Sequence, residues 1–268
     1  MREEEKIIIC NGKIEKVSDF EEDKQGKIIY EVIRIIQGKP LFIEEHYDRM
    51  KNSFKLSGVE LTKSYTDLRN EINQLVKANK IKEGNIKITY SIDKDLFKIF
   101  FIPHKYPTDE MYIDGVDTIL YFGERENPNA KIVNNEFRSK VNEKIKLRGA
   151  YEAILVDRNG IITEGSKSNI FIIKDDIVYT SKVEAVLPGV TRTEIMKMAK
   201  EIGVKVVEED FNYLGINDID SMFISGTSPK ILPIRRVEEK ELNVNNKILR
   251  KLMSSFNNKI KKYIENLE

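Results

Sequence analysis

One cysteine, Cys10, stands in 268 residues, so no internal disulfide framework is possible and the chain suits a reducing compartment. Two histidines, His46 and His104, exclude a metal site built from several imidazoles. Neither sign of charge prevails: 45 lysines and arginines stand against 44 aspartates and glutamates, which argues against an electrostatic nucleic-acid binder. No apolar run approaches the length of a membrane span. The start, Met1-Arg2-Glu3-Glu4-Glu5, is too acidic for a signal peptide. Internal repeats and low-complexity tracts are missing too. The plain reading is a soluble cytoplasmic protein of one or two domains with a sizeable core.

What is present is a mixture of strand and helix patterns. Residues 6–10 are mostly apolar and run into Asn11-Gly12, a strong hairpin signal. The stretch 28–36, IIYEVIRII, is a longer strand ended by Gln37-Gly38-Lys39-Pro40, and a short strand is expected at 41–43. Tyr47, Met50 and Phe54 then fall three and four apart, an amphipathic helix stopped near Gly58. A second helix spans about 65–79, with Ser64 and Asp67 at its start and Leu68, Ile72 and Leu75 as its stripe. Ile86, Ile88, Tyr90 and Ile92 alternate as a half-buried strand does, and 96–102 pairs with it across Asp93-Lys94-Asp95. Prolines 103 and 107 break the pattern, so 103–114 reads as an interdomain connection.

A sheet restarts at 116–122, and a polar loop at 124–129 leads to Lys131. Phe137, Val141 and Ile145 recur every four residues, giving a helix that Lys131 precedes. The runs 153–156 and 161–163 form a hairpin around Asp157-Arg158-Asn159-Gly160, with Glu164 at its end. Strands follow at 169–173, 177–180, 204–207 and 221–225; a helix spans 191–202, ended by Gly203. A C-terminal helix carries the stripe Leu249, Leu252, Phe256, Ile260, Tyr263 and Leu267. Without a regular βαβ repeat, the class is α+β.

Several residues have chemistry available beside an ordinary reading. Lys131 is either a surface lysine or a desolvated amine whose lowered pKa frees it as a nucleophile and proton carrier. Glu164, before Gly165, is turn decoration or a functional acid. In LPGVTR (187–192), Val190 and Thr191 offer the N–H groups of a helix start, where an anion is favoured, and Thr191 suits a cap. Arg49 lies off the apolar stripe of its helix, and its fork suits phosphate. Thr227, in SGTS (225–228), follows a strand and carries a hydroxyl. Leu187 and Tyr30 are equally natural in a core.

In order, NAKIVN (129–134), YEAILVD (151–157), ITEGSKSN (162–169), LPGVTR and SGTS resemble the fold-type IV pyridoxal-phosphate enzymes, the class IV aminotransferases. Branched-chain aminotransferases, D-amino-acid aminotransferases and aminodeoxychorismate lyases make up that family. The resemblance covers nearly the whole chain. It implies a two-domain α+β fold of the D-amino-acid aminotransferase type, with a small N-terminal domain at 1–107 and a larger one at 108–268 carrying the cofactor lysine. The cofactor, pyridoxal 5′-phosphate, is expected between them. Lys131 would attack its aldehyde and later move a proton at substrate Cα. Glu164 would partner the pyridine nitrogen, and Leu187 would pack on the ring. Arg49, Val190, Thr191 and Thr227 would hold the phosphate. Tyr30 would face the substrate, and the amide of Ser228 would bind its carboxylate. No metal is called for.

The resemblance implies amino-group transfer between a branched-chain or D-type amino acid and a 2-oxo acid. Its rivals are an aminodeoxychorismate lyase releasing pyruvate and a cofactor-holding protein without turnover. The chain departs from the family at 19–27, which holds one glycine, and after Tyr90, where the arginine-bearing substrate loop is missing. A homodimer is implied. Its partner's loop, or His104, Lys105 and Tyr106 of the same chain, would replace the missing group.

Overall fold

A computed structural model describes residues 7–20, 22, 26–126 and 128–267. The acidic start at 1–5 and residues 21 and 23–25 of the stretch 19–27 lie outside the described residues. The chain forms two compact units. One comprises the chain up to Lys105, Ala130–Val133 and the chain from Ile260; the other comprises Tyr106–Asn129 and Asn134–Lys259.

In the first unit, β1 (Ile7–Cys10) and β2 (Lys13–Lys16) close over Asn11 and Gly12, with φ of 45° and 80°. Both central residues are left-handed, which matches the twist of a two-residue hairpin. Next come β3 (Ile28–Ile36), β4 (Lys39–Pro40), helices α1 (Ile43–Leu56) and α2 (Tyr65–Asn79), then β5 (Gly84–Ser91) and β6 (Leu96–Ile102). The strands make one antiparallel sheet in the order β2-β1-β6-β5-β3-β4. Ile33, Ile35, Ile86, Ile88 and Ile99 pack there against Met50, Phe54, Leu68, Ile72 and Leu75 of the two helices. The Ser64 hydroxyl caps α2 by accepting from Asp67 N–H at 3.1 Å.

A strand at 41–43 does not form. Gln37 and Gly38, at φ 53° and 79°, turn the chain within two residues, so Lys39 and Pro40 already pair with Ile36 and Ile35. Phe42 then takes a left-handed conformation and Ile43 begins α1. The stretch 103–114 is likewise not wholly irregular, because Thr108 caps a short helix, α3 (Asp109–Asp114).

The second unit continues with β7 (Val116–Phe122), α4 (Asn135–Arg148), β8 (Glu152–Val156), β9 (Ile161–Gly165), β10 (Asn169–Lys174), β11 (Ile177–Thr180), α5 (Val190–Glu201), β12 (Val206–Glu208), β13 (Phe211–Asn212), β14 (Ser221–Gly226), β15 (Lys230–Val237), β16 (Lys240–Glu241) and α6 (Lys247–Asn266). The last residues of α6 cluster with the first unit, where Tyr263 Oη accepts from Ile43 N–H and donates to Glu44. The sheet runs β12-β11-β10-β14-β15-β7-β8-β9-β13. Glu164 of β9 also pairs with Asn169 of β10, so the run from β10 through β14, β15, β7 and β8 to β9 closes on itself.

Alternation along β8 follows from that closure. Ile154 and Val156 join Ile170, Ile172, Met222, Ile224 and Leu232 in one cluster. Ala153 and Leu155 face Val141 of α4 instead. Strand β15 is the element the sequence hides, since Pro233 argues against an interior strand. Here it lies between β14 and β7, opposite Phe223, with a register shift between Ile234 and Arg236 on the β7 side. Among the described residues, no helix is long and apolar enough to cross a membrane.

Candidate active site

Lys131 immediately precedes a single bridge residue, Ile132, and lies in neither a helix nor a strand. Ile132 pairs with Ile29, Tyr30 N–H donates to Lys131 C=O at 3.0 Å, and Val133 N–H donates to Ile28 C=O at 3.0 Å. Residues 130–133 thereby lengthen the edge of β3. Residues 130–133 belong to the first compact unit. Lys131 Nζ sits 4.7 Å from the centroid of the Tyr30 ring. An ammonium over an aromatic face is attracted by the ring quadrupole.

Arg49 is not a solvated arginine. It is 8% exposed, and Glu31, at 0%, takes its Nε at 2.8 Å and its Nη2 at 2.6 Å. His46, one helical turn earlier, brings Nδ1 to within 2.9 Å of the same carboxylate. Burial alone would raise the Glu31 pKa, but the Arg49 charge and the hydrogen bonds from His46 and Arg49 outweigh it and hold the value at about 2. Burial pushes His46 below its usual value against the opposing pull of Glu31, which favours the neutral imidazole. A carboxylate can only accept, so we assign the proton to Nδ1. The 3.4 Å approach of Arg49 Nη2 to Nδ1 is then a proximity, not the governing bond. Ser53 joins this group to the lysine: its hydroxyl donates to Arg49 C=O at 3.1 Å and accepts from Lys131 N–H at 3.2 Å.

In the second unit, Glu164 is 3% exposed at the seam where the sheet closes. Leu187 N–H donates to its Oε2 at 3.1 Å, and Arg125 Nη1 to its Oε1 at 3.1 Å. Asn169, across the seam, donates to Leu187 C=O at 2.9 Å. A Cβ on Gly189 would overlap the Asn169 amide, so only glycine lets the start of α5 approach this closely. Gly189, not Thr191, is the N-cap, and no side chain caps the helix. Val190 and Thr191 fall in the first turn, where N–H groups have no intrahelical acceptor. Thr227 and Ser228 are half-buried in the turn after β14, shortly beyond Ser225, which pairs with Asn169.

The structure thus brings Lys131 to Tyr30, and Glu164 to Leu187. It supplies Arg49 with a partner, Glu31, that sequence reasoning missed. Two signals were present: a glutamate inside a mostly apolar strand, and His46 and Arg49 three residues apart on the next helix. Arg125 and Asn169 carry no comparable periodicity.

A family model described as amino-transferase class IV matches residues 28–237. The chain belongs to the class IV aminotransferase family. It is 26% identical over 251 residues to the D-alanine aminotransferase of Bacillus licheniformis, covering 86% of this chain and 88% of that one. It is 28% identical over 215 residues to the branched-chain-amino-acid aminotransferase of Escherichia coli (strain K12), covering 72% and 69%. A solved structure, the branched-chain aminotransferase of the thermophilic archaeon Thermoproteus uzoniensis with norvaline, superposes with a TM-score of 0.87 at 21% identity over 97% of each chain. Relatives named for different amino acids match this class IV aminotransferase at similar identity.

Proposed function

We propose that this enzyme uses pyridoxal 5′-phosphate to move an amino group between an amino acid, of branched-chain or D-amino-acid type, and a 2-oxo acid. The observation that carries the reading is Lys131, held on the edge of β3 with its Nζ against Tyr30 and its N–H on Ser53, in a chain of this family. The residues present fit the cofactor. An amine, a guanidinium, a buried carboxylate and a helix start without a side-chain cap match its aldehyde, phosphate and ring nitrogen. When bound, the cofactor supplies an electron sink for the pair left at substrate Cα.

Each residue then has a task. Lys131 binds the cofactor through Nζ and carries the proton at substrate Cα. Arg49, the Val190 and Thr191 N–H groups and the Thr227 hydroxyl bind the phosphate. Glu164 holds the proton on the ring nitrogen, oriented by Leu187 N–H, and the Leu187 side chain packs on the ring. Tyr30 and Ser228 meet the substrate. The enzyme works in the cytoplasm as a homodimer, and the residues around His104 meet the substrate carboxylate from the same chain or from its partner.

The turn after Tyr90 also supports a lyase reading. Tyr90 Oη donates to Asp95 at 2.8 Å, so the β5–β6 connection is closed tightly and carries no arginine. Borohydride reduction of the loaded protein followed by peptide mapping should label Lys131, and a label on another lysine overturns the assignment. A screen of L- and D-amino acids with 2-oxoglutarate or pyruvate should show transfer. Pyruvate released from aminodeoxychorismate without transfer would establish the lyase instead.

A further inference from the structure

Glu31 is an expensive residue to bury. A carboxylate in an apolar strand loses its hydration, and apolar replacements of buried ion pairs are often neutral or stabilising. It is nevertheless fully buried, and both its oxygens are committed: Oε1 to Arg49 Nε, Oε2 to Arg49 Nη2 and His46 Nδ1. Two parallel N–H···O bonds along one edge fix the plane of a guanidinium and remove its rotation about the side chain. His46, one helical turn before Arg49, donates to the same oxygen, Oε2, that takes Arg49 Nη2, and so holds the carboxylate beside the guanidinium. The arrangement orients a cation rather than merely neutralising it.

We propose that Glu31 is a positioning residue, clamping the Arg49 guanidinium in the direction from which it grips the cofactor phosphate. This rests on the reading that Arg49 binds that phosphate. Glu31 does not touch the cofactor and acts through Arg49. The proposal has a sign that simple charge counting does not share. By Coulomb's law alone, removing an anion beside a phosphate-binding cation tightens phosphate binding. If Glu31 positions Arg49, removing its charge loosens binding instead, because the guanidinium loses its fixed plane.

The test is titration of the cofactor-free protein with pyridoxal 5′-phosphate and, separately, with pyridoxal, which lacks the phosphate, following the visible absorbance of the bound species. Glu31→Gln should weaken pyridoxal 5′-phosphate binding by about tenfold or more, the scale of a charged two-point hydrogen bond, and leave pyridoxal affinity within about twofold. Glu31→Gln combined with Arg49→Ala should bind no more weakly than Arg49→Ala alone, since the two act as one unit. Arg49→Lys keeps the charge but cannot be held along an edge. It should fall to within about threefold of Arg49→Ala, and it decides the matter if Glu31→Gln does not fold. Unchanged or tighter phosphate-dependent binding in Glu31→Gln, equal loss of both ligands, or full affinity in Arg49→Lys overturns the proposal while Arg49 keeps its role. Unchanged affinity in Arg49→Ala removes Arg49 from the phosphate site, and the proposal falls with that reading.

Discussion

Each unit buries a glutamate on a strand of its own sheet, and the two are satisfied by opposite means. Glu31 in β3 faces a guanidinium and an imidazole. Among the described residues, Glu152 in β8 faces neutral donors: Ala153 N–H at 2.9 Å, Ser166 N–H at 3.2 Å, the Ser166 hydroxyl at 2.5 Å and the Ser168 hydroxyl at 3.0 Å. The first arrangement fixes the direction of a cation. The second shapes a loop, because Ser166 and Ser168 lie between Glu164 and Asn169, the pair that closes the sheet. Gly165 belongs to the same device, since a Cβ there would overlap the Ser168 hydroxyl. A charged partner orients one side chain; distributed neutral donors hold a stretch of backbone on which a second acid, Glu164, is mounted.

The sharpest way to break this comparison is truncation. Glu31→Ala leaves a buried guanidinium without its counter-ion and should cost about 3–5 kcal/mol of stability, read from urea denaturation. A loss below that of an ordinary surface substitution would mean that Arg49 finds water or another acid at no cost.

Acid should expose the same asymmetry. His46 has a folded pKa below its ordinary 6.5, so the unfolded chain takes up the proton first and stability falls as pH drops below that value. The Glu31 pKa is lowered from 4.5 to about 2, so its contribution is whole above 4.5 and is lost as pH falls towards 2. The Glu31 step is on the order of 3 kcal/mol. Denaturation midpoints measured from pH 7 to 3 should decline through both windows, and the lower decline should be shallower in Glu31→Ala, with Asp117 and Glu194, whose ion pairs also lower their pKa values, supplying the remainder. A flat profile in the parent protein would contradict the charged reading of the Glu31 cluster.

The smallest effect is expected at Glu152. Glu152→Gln keeps the shape and one acceptor oxygen but turns an NH₂ towards groups that donate, for about 1–3 kcal/mol. A cost equal to that of Glu31→Ala would erase the distinction between the two anchors.

The local rules were written in the sequence. Asn11-Gly12 demanded a tight hairpin, Ser64 a helix start, and the spacing of Met50 and Phe54 the buried face of α1; all three follow from interactions within a few residues. The family was legible for a related reason, because its landmarks are short blocks in a set order. What the chain could not display locally was decided by contacts far apart along it. The edge of β3 captured residues 130–133 through backbone bonds that no side-chain pattern encodes. The strand β15 formed despite Pro233, because its neighbours β14 and β7 supply the ladder around the missing donor. Arg49 lost its solvent to Glu31, 18 residues away, since only the packing of α1 on β3 brings the two together. Periodicity reports which face of an element is apolar; which buried charge that face meets is settled when the elements pack.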